Sequence, residues 1–563
     1  MKLHVGAQDY YTDSNGLVAF DSPGMMNQSV TFAASSYGYE GQLATLQTTL
    51  GTTGEVILNR QQRAERLYRV TGKGIYQDTM LLGLTAPIEH PLINANVKGQ
   101  DSVQATIYKG KIHWFWGDTL YDVGFGNFRT SGATSELPTQ GGLAPSVGVN
   151  LNYYVDAGGS SKQMMPLSQP GPVWIDGLFT ITDNTGQERM LTHYSRRDPN
   201  NALGAQVEHG LARYSDSQDI FLRFQTYPLD APITAKGHSF ERTIDGQDYI
   251  YFAESYPTIR VKKNWNDVTT PAAWEAFTPL KENSRYNAAN PPLDLDEHGQ
   301  PIYAWKKNTD PFTTEMFEEM IGDGHLIRDE SPFRLKDYDN GDVVRIHRSS
   351  VYWNDYRNSW VMIGNELFGD SLLGEVYFSE APAPEGPWEK AIKIVTHHNG
   401  SENYTFYNPK QQPFFAEDNG RIIYFEGTYA ETFSGNPTPT PLYDYNQMMY
   451  RLDLATIPPM FERLVGDYNL DGTVDAADYT VWRNTLGSTA DLRANGDNTG
   501  ASFGVVDEAD YLAWKSNFGA SATPGAISDA AHRVPETPTL LSIVIVLALT
   551  VVCRLPNRSA DPP

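Results

Sequence analysis

From about residue 96 to residue 456 the chain repeats one theme. Short runs rich in Tyr, Trp, Phe, Ile and Val alternate with Gly, Asn and Asp turns. Lys111–Trp116, Val173–Ile175, Glu188–Tyr194, Tyr249–Ala253, Pro301–Trp305, Ser350–Trp353, Trp360–Ile363, Gly374–Phe378 and Arg421–Phe425 are such runs. They are three to seven residues long, bounded by turn formers and rich in β-branched and aromatic side chains, which predicts strands. Helical periodicity is nearly absent there, with Thr313–Ile321 the best exception. About 360 residues exceed one sandwich; divided into blades of roughly 50 to 70 residues they give about five. The expectation is a mainly β fold, a five-bladed β-propeller over 96–456. Residues 1–95 precede it as a small β-rich unit, in which Arg66–Thr71 reads as a strand.

The pattern changes after 456. Asp475–Gly487 is echoed by Asp507–Gly519. In each copy an acidic loop opens a short helix whose aromatic face is Tyr479, Trp482, Leu486 or Tyr511, Trp514, Phe518, and a glycine ends it. Neither copy can bury that face alone, so the two predict a face-to-face pair over 464–520. The first loop carries Asp467, Asn469, Asp471, Thr473, Asp475 and Asp478 at positions 1, 3, 5, 7, 9 and 12, with Gly472 at position 6. Hard oxygen donors around a sharp glycine turn are the ligand spacing of a calcium loop, so Ca2+ is the expected cofactor. The second loop offers Asn495, Asp497, Asp507 and Asp510, with an insertion before Asp507. The pair resembles a type I dockerin, which implies a cohesin-like docking partner.

After a linker at 521–538 comes an apolar run, Leu540–Val552, within a segment 539–555. It is preceded by Pro535-Glu-Thr-Pro538 and followed by Arg554 and Arg558. At about 13 residues it falls short of the roughly 20 of a spanning helix. The order Pro-Glu, apolar run, Arg resembles the PEP-CTERM sorting signal, without its usual second proline. That resemblance implies an exported, surface-sorted protein that meets a membrane through this segment, with Arg554 on the cytoplasmic side. Dockerin-like repeats with such a tail resemble planctomycete-type exported proteins. Met1–Tyr10 holds no apolar signal core, so export predicts a signal encoded upstream.

Composition narrows the classes. The 563 residues carry a formal charge of −25, which disfavours nucleic acid and anionic lipid surfaces as partners. The single cysteine, Cys553, lies in the apolar tail, so the folded part has neither disulfides nor thiol chemistry. Zinc-ligand spacings such as His-x-His, Gly-rich nucleotide loops and a serine elbow are missing from the sequence.

Two stretches carry a further resemblance. Tyr377-Phe-Ser-Glu-Ala-Pro-Ala-Pro-Glu-Gly-Pro-Trp388 resembles a turn of arabinanase-like and fructosidase-like glycosidases, and Gln100–Thr119 resembles their first blade. Its end, Trp116-Gly-Asp-Thr119, is also similar to uncharacterised bacterial propeller proteins. The glycosidase resemblance implies an O-glycosyl hydrolase with a base Asp, an Asp that tunes the acid, and a Glu acid. By position Asp101 matches the base and Asp176 the tuning Asp, while either Glu254 or Glu366 matches the acid. Asp118, Arg348 and Glu426 are further candidates for contacting substrate at the funnel; Arg348 is open to binding a substrate carboxylate or balancing Glu366. Glycoside cleavage needs two carboxyl groups, about 5 to 5.5 Å apart for retention and roughly 6.5 to 9.5 Å for inversion. Trp114, Trp116, Trp174 and Trp305 are candidates either for stacking on sugar rings or for the core. The expected ligand is a polysaccharide or oligosaccharide; the alternative reading is a non-catalytic glycan-binding or scaffold protein.

Overall fold

The computed structural model describes residues 1–521 except 21, 50, 124–126, 202–203, 400–402, 432–433, 435–439, 441–442, 462–463, 470–472, 490–492, 497–501 and 503, and beyond them 549–551. The chain is mainly β. Between 97 and 453 five sheets follow one another, built chiefly of antiparallel neighbours. Their innermost strands are Val103–Tyr108, Val173–Thr182, His238–Ile244, Ile346–Asn354 and Thr405–Gln411. Each touches the next in that order, and the fifth touches the first. Sheets whose innermost strands close into a ring form a β-propeller architecture.

Why these runs are continuously apolar follows from that ring. A strand places successive side chains on opposite faces, and here both faces are covered by a neighbouring sheet. In Ser359–Glu366, Trp360 and Met362 enter the core shared with the third sheet, whereas Val361 and Ile363 enter the core shared with the fifth. In Lys111–Tyr121, Trp114 and Trp116 face the fifth sheet and Phe115 faces the second. Both tryptophans are essentially inaccessible, at 0% and 1% exposure, so they are core rather than sugar platforms. Each such side chain contributes about 1.5–3 kcal/mol on burial.

The ring closes with a borrowed strand. Glu65–Arg69 forms, as expected from the sequence, but pairs with Asn446–Asp453 as the fourth strand of the fifth sheet. Arg66 lies 4.8 Å from the Tyr429 ring centre and Arg69 4.8 Å from that of Tyr443. The N-terminal part also holds a small four-stranded sheet, and Leu3 and Phe32 on it pack with Val18, Phe20 and Leu58 from neighbouring segments.

The sequence-expected helix near 313–321 is Thr314–Gly322, capped by the Thr313 side chain. Helices Ala476–Thr485 and Glu508–Asn517 pair through Tyr479, Trp482, Tyr511 and Trp514. Leu486 and Phe518 lie at the margin of that face, 54% and 57% exposed, with the Phe518 ring edge-on to Trp514 at 5.3 Å. Of the segment 539–555, the described residues Leu549–Val551 form a strand between Val18–Phe20 and Thr53–Gly54. The rest of that segment lies outside the described residues, among which no helix is long and apolar enough to cross a membrane.

Candidate active site

In each sheet the inner strand starts, and the second strand ends, on the same side of the ring. Asp101, Asp176, Glu254, Arg348 and Glu366 therefore all belong to one rim.

Asp101 owes its position to a break. Val97–Gln100 and Val103–Tyr108 both pair with Lys111–Tyr121, and Asp101–Ser102 is the irregular step between them. Its N–H donates to the Asp118 carbonyl (2.8 Å) and its carbonyl accepts from Gly117 N–H (2.9 Å). The side chain is left to point off the strand. It accepts from Ser102 Oγ (2.6 Å), Thr428 Oγ1 (3.3 Å) and Tyr445 Oη (3.3 Å). Burial pushes its carboxyl above the usual range, the Asp118 charge adds to this, and the hydroxyl donors oppose it.

Asp176 also sits at an irregularity, between Asp176 and Phe179. Gly177 there has φ +60°, and a Cβ on it would lie 2.6 Å from the Ala235 carbonyl carbon, so only glycine fits. Asp176 Oδ1 accepts from Gly177 N–H (2.8 Å), Gly237 N–H (2.9 Å) and Gln104 Nε2 (3.0 Å). Its carboxyl is pushed up, chiefly by burial and further by Glu254, against Arg348 and the two N–H groups.

Glu254 follows the strand Gln247–Ala253. There the third and fourth sheets are laced together: Ser349 N–H donates to the Glu254 carbonyl (2.8 Å), Ser349 Oγ to the Ser255 carbonyl (2.7 Å) and Ser255 Oγ to the His347 carbonyl (2.7 Å). The lacing sets Arg348 Nη1 2.9 Å from Glu254 Oε1 and 3.7 Å from Asp176 Oδ2. One guanidinium nitrogen thus serves two carboxylates. Burial pushes the Glu254 carboxyl up, but Arg348, with help from Lys236 and His347, leaves it below its ordinary value. His347 is itself pushed down to about 4 by burial and then by Arg348. Glu254, Asp176 and Arg348 keep 26%, 29% and 31% of their side-chain surface, enough for a ligand to reach them.

The remaining sequence candidates separate from this group. Arg348 does not balance Glu366. Glu366 lies toward Glu375: a Cβ on Gly369 would meet Glu366 Oε2 at 2.6 Å and Glu375 Oε2 at 2.7 Å. Burial raises Glu366 to about 7. Glu426 is 0% exposed, inside the seam between the fifth and first sheets, where burial holds it at about 7 and Gln412 Nε2 donates to it (2.7 Å). It cannot touch a substrate from there. Asp118 stands beside the site and accepts from Trp174 Nε1 (2.8 Å).

The structure adds residues that sequence reasoning passed over. Gln104 had a visible signal, as a polar residue in the apolar inner strand Val103–Tyr108. Thr428 and Tyr445 carried none, since they approach Asp101 from the far end of the chain. Glu315, on the helix Thr314–Gly322, adds negative charge near Arg348 and His347.

In the helical pair, Asp478 is fully buried and closes its loop. It accepts from Tyr468 N–H (2.7 Å), Asn469 N–H (2.9 Å) and Asp475 N–H (2.8 Å). Asp510 accepts likewise from Asp507 N–H (2.8 Å). Trp482 Nε1 donates to the Asp507 carbonyl and Trp514 Nε1 to that of Asp475, both at 2.8 Å, so the two copies brace each other's loops. Asp471 and Asp497 lie outside the described residues, and among those described no cluster of three or more His, Cys, Asp or Glu is gathered for a metal. The oxygen-only donor set of Asp467, Asn469, Thr473, Asp475 and Asp478 on one closed loop suits a hard cation.

No family model and no curated protein matches the sequence. Among solved structures the chain is similar to a thermostable family-43 glycoside hydrolase at 10% identity, with 65% of this chain and 95% of that one aligned and a TM-score of 0.27. It is also similar to the catalytic domain of the GH62 α-L-arabinofuranosidase of Coprinopsis cinerea, at 9% identity over 70% of this chain and 98% of that one, with a TM-score of 0.30. A third is the GH43_1 enzyme of Xanthomonas citri complexed with xylose, at 9% identity, 63% and 87% coverage and a TM-score of 0.28.

Proposed function

We propose that the five sheets are the blades of a five-bladed propeller that hydrolyses glycosidic bonds in a polysaccharide or oligosaccharide. Asp101 is the base, Glu254 the acid and Asp176 the residue that tunes the acid. The observation that carries this reading is that carboxylates from three successive sheets share one rim, two of them on one arginine nitrogen.

The chemistry asks for one carboxyl group that carries a proton to the leaving oxygen and another that is ionised. At rest the Arg348 charge keeps Glu254 ionised. Arg348 Nη1 is already 3.7 Å from Asp176. A short swing toward Asp176 moves the counter-charge away from Glu254, which then takes up a proton from water. Sugar binding drives the swing by displacing water around Glu254, which leaves burial to favour its neutral form. Asp101 then draws the proton from a water, or attacks directly, according to its distance from Glu254 across the bound sugar.

Reducing-sugar release from a panel of plant and algal polysaccharides tests this. Release by the wild type, abolished in Asp101→Asn, is expected. A second reading, glycan binding without catalysis, draws on the resting charge of Glu254. Binding in the panel with no release from any polysaccharide would establish it and end the hydrolase reading.

The C-terminal pair we read as a calcium-dependent docking module for a cohesin-like partner. Asp467, Asn469, Asp471, Thr473, Asp475 and Asp478 would hold Ca2+ in the first loop, and Asn495, Asp497, Asp507 and Asp510 would serve the second. The ion would supply a fixed positive centre that neutralises crowded carboxylates. The tail marks the protein for export and surface sorting in a planctomycete-type envelope. Equilibrium dialysis with calcium is expected to show binding that Asp471→Ala weakens; equal binding by both proteins would refute the first site.

A further inference from the structure

The step Gln100–Asp101–Ser102 belongs by sequence to the first sheet, yet the fifth sheet holds much of it. Gln100 N–H donates to the Tyr445 carbonyl (2.6 Å) and Ser102 N–H to Thr428 Oγ1 (2.8 Å). Gln447 Nε2 donates to the Gln100 carbonyl (3.0 Å) and to Thr428 Oγ1 (3.1 Å). Asn408 Nδ2 donates to Ser102 Oγ, whose own proton goes to Asp101 Oδ1. Tyr445 Oη donates to the other oxygen, Oδ2. Gln447 is in turn held by the borrowed-strand side: Val70 N–H donates to its carbonyl (2.9 Å) and Thr71 Oγ1 accepts from its N–H (3.0 Å).

Backbone geometry singles out the same residues. Ser102, Asn408 and Tyr445 all have positive φ, at +30°, +51° and +60°. Most other non-glycine residues of this kind in the chain are Asn or Asp, which tolerate the left-handed region; an aromatic side chain does not do so readily. Such conformations persist only where surrounding contacts impose them. Three of them, from three separate stretches, converge on one carboxylate. Gly99 accommodates the arrangement, since a Cβ there would lie 2.6 Å from the Tyr445 carbonyl oxygen.

We infer that Tyr445, together with the Asn408–Ser102 pair, is a positioning device that aims Asp101 and favours its ionised form, so that closure of the ring sets the strength of the base. The inference rests on the hydrolase reading for the word base; the cradle itself does not. The groups facing Asp101 are Asp118 from the second strand of its own sheet, Tyr407 from the inner strand of the fifth sheet, and Tyr445, Thr428 and Ser102. Asp118 alone among them carries a charge that opposes ionisation. The hydroxyls supply the stabilisation, and Asn408 orients one of them.

The test uses the full chain labelled with 13C-carboxyl aspartate, with the Asp101 signal assigned by its loss in Asp101→Asn. Tyr445→Phe removes one donor and keeps the ring. The Asp101 titration midpoint is expected to rise by about one pH unit, the size of shift that one such contact commonly gives. The acidic limb of kcat/KM should move up by the same amount on the polysaccharide that the panel identifies. Asn408→Gly keeps the positive φ and removes the Ser102 partner, and should produce a smaller shift of the same sign even if Tyr445→Phe folds poorly. Wild type and both variants titrating together would overturn the inference. If the titration shifts while Asp101→Asn still hydrolyses, the cradle stands and the base assignment falls.

Discussion

Two carboxylates on one rim are kept in place by opposite means. Glu254 is held by a cation: Arg348 lies 2.9 Å away and draws its carboxyl below the ordinary value despite burial. Asp101 is held by hydroxyl groups, and burial leaves its carboxyl raised. The side of the ring with the arginine is mobile in charge, because one guanidinium can serve Asp176 or Glu254. The side at the seam is fixed in charge but demanding in geometry. A proton donor that must change state suits the first, and a base that must be aimed suits the second.

The largest expected effect separates those roles. Asp101→Asn should lower kcat roughly a thousand-fold on every substrate, because no leaving group replaces a missing base. Glu254→Gln should do the same on polysaccharide yet recover most of the rate on aryl glycosides, whose leaving groups need no proton. Steady-state rates on both substrate types decide it. Equal losses across substrates in both variants would erase the distinction.

Next is the seam itself. Glu426 is fully buried between the fifth and first sheets and holds its proton to about pH 7, against an ordinary value of 4.5. With the folded value raised, its contribution is whole below about pH 4.5 and is lost as pH rises toward 7. Glu426→Gln should therefore gain stability at pH 8 relative to pH 4, by up to about 3 kcal/mol. Denaturant unfolding at the two pH values measures this. A variant whose stability tracks the wild type at both would show that the seam is not kept neutral.

How far these two sides were legible in the sequence differs for a physical reason. Strand runs such as Lys111–Trp116 were plain because both faces of each sheet are covered, so apolar residues run on without alternation. Asp176 could be proposed from its place in the glycosidase resemblance, and Glu254 because it stands directly after an apolar strand. That Glu254, and not Glu366, meets Arg348 could not be read, since it depends on the Ser255–Ser349 lacing between two sheets. The seam was hidden altogether. Tyr445 reaches Asp101 across 344 positions of chain, and Glu65–Arg69 looks like any local strand until Asn446–Asp453 claims it. Glu426 directly follows the apolar run Arg421–Phe425 and is buried for the same reason that the run is apolar.

A smaller effect is expected at the arginine. Arg348→Met leaves Glu254 and Asp176 without their counter-charge. A broken buried pair costs 3–5 kcal/mol, but these side chains keep about a quarter to a third of their surface, so a loss of about 1–2 kcal/mol is expected. The pH dependence should change sign. In the wild type the lowered Glu254 value gives stability above about pH 4.5 that is lost as pH falls through the folded value. In the variant burial is opposed only by the weaker pull of Lys236 and His347, the value rises, and stability declines as pH climbs above about 4.5. Thermal unfolding between pH 3 and 8 reads out the slope, and an unchanged slope would mean that Arg348 does not control Glu254.

The smallest effect lies where the two sides meet. Trp174, on the second sheet, donates to Asp118 on the first, and Asp118 is the charge that works against ionisation of Asp101. Trp174→Phe removes that N–H but keeps an aromatic ring in place. Losing a hydrogen bond to a charged group costs about 1.5–3 kcal/mol when buried, and less here because Trp174 is only partly covered. With one tether gone, Asp118 is freer to turn toward water. Its repulsion of Asp101 then weakens, and the Asp101 midpoint should fall by a few tenths of a pH unit, opposite in sign to Tyr445→Phe. Opposed shifts from two aromatic substitutions flanking one carboxylate would show that Asp101 is balanced between a neutral seam and a charged neighbour. Shifts of the same sign would mean that both variants merely loosen the rim.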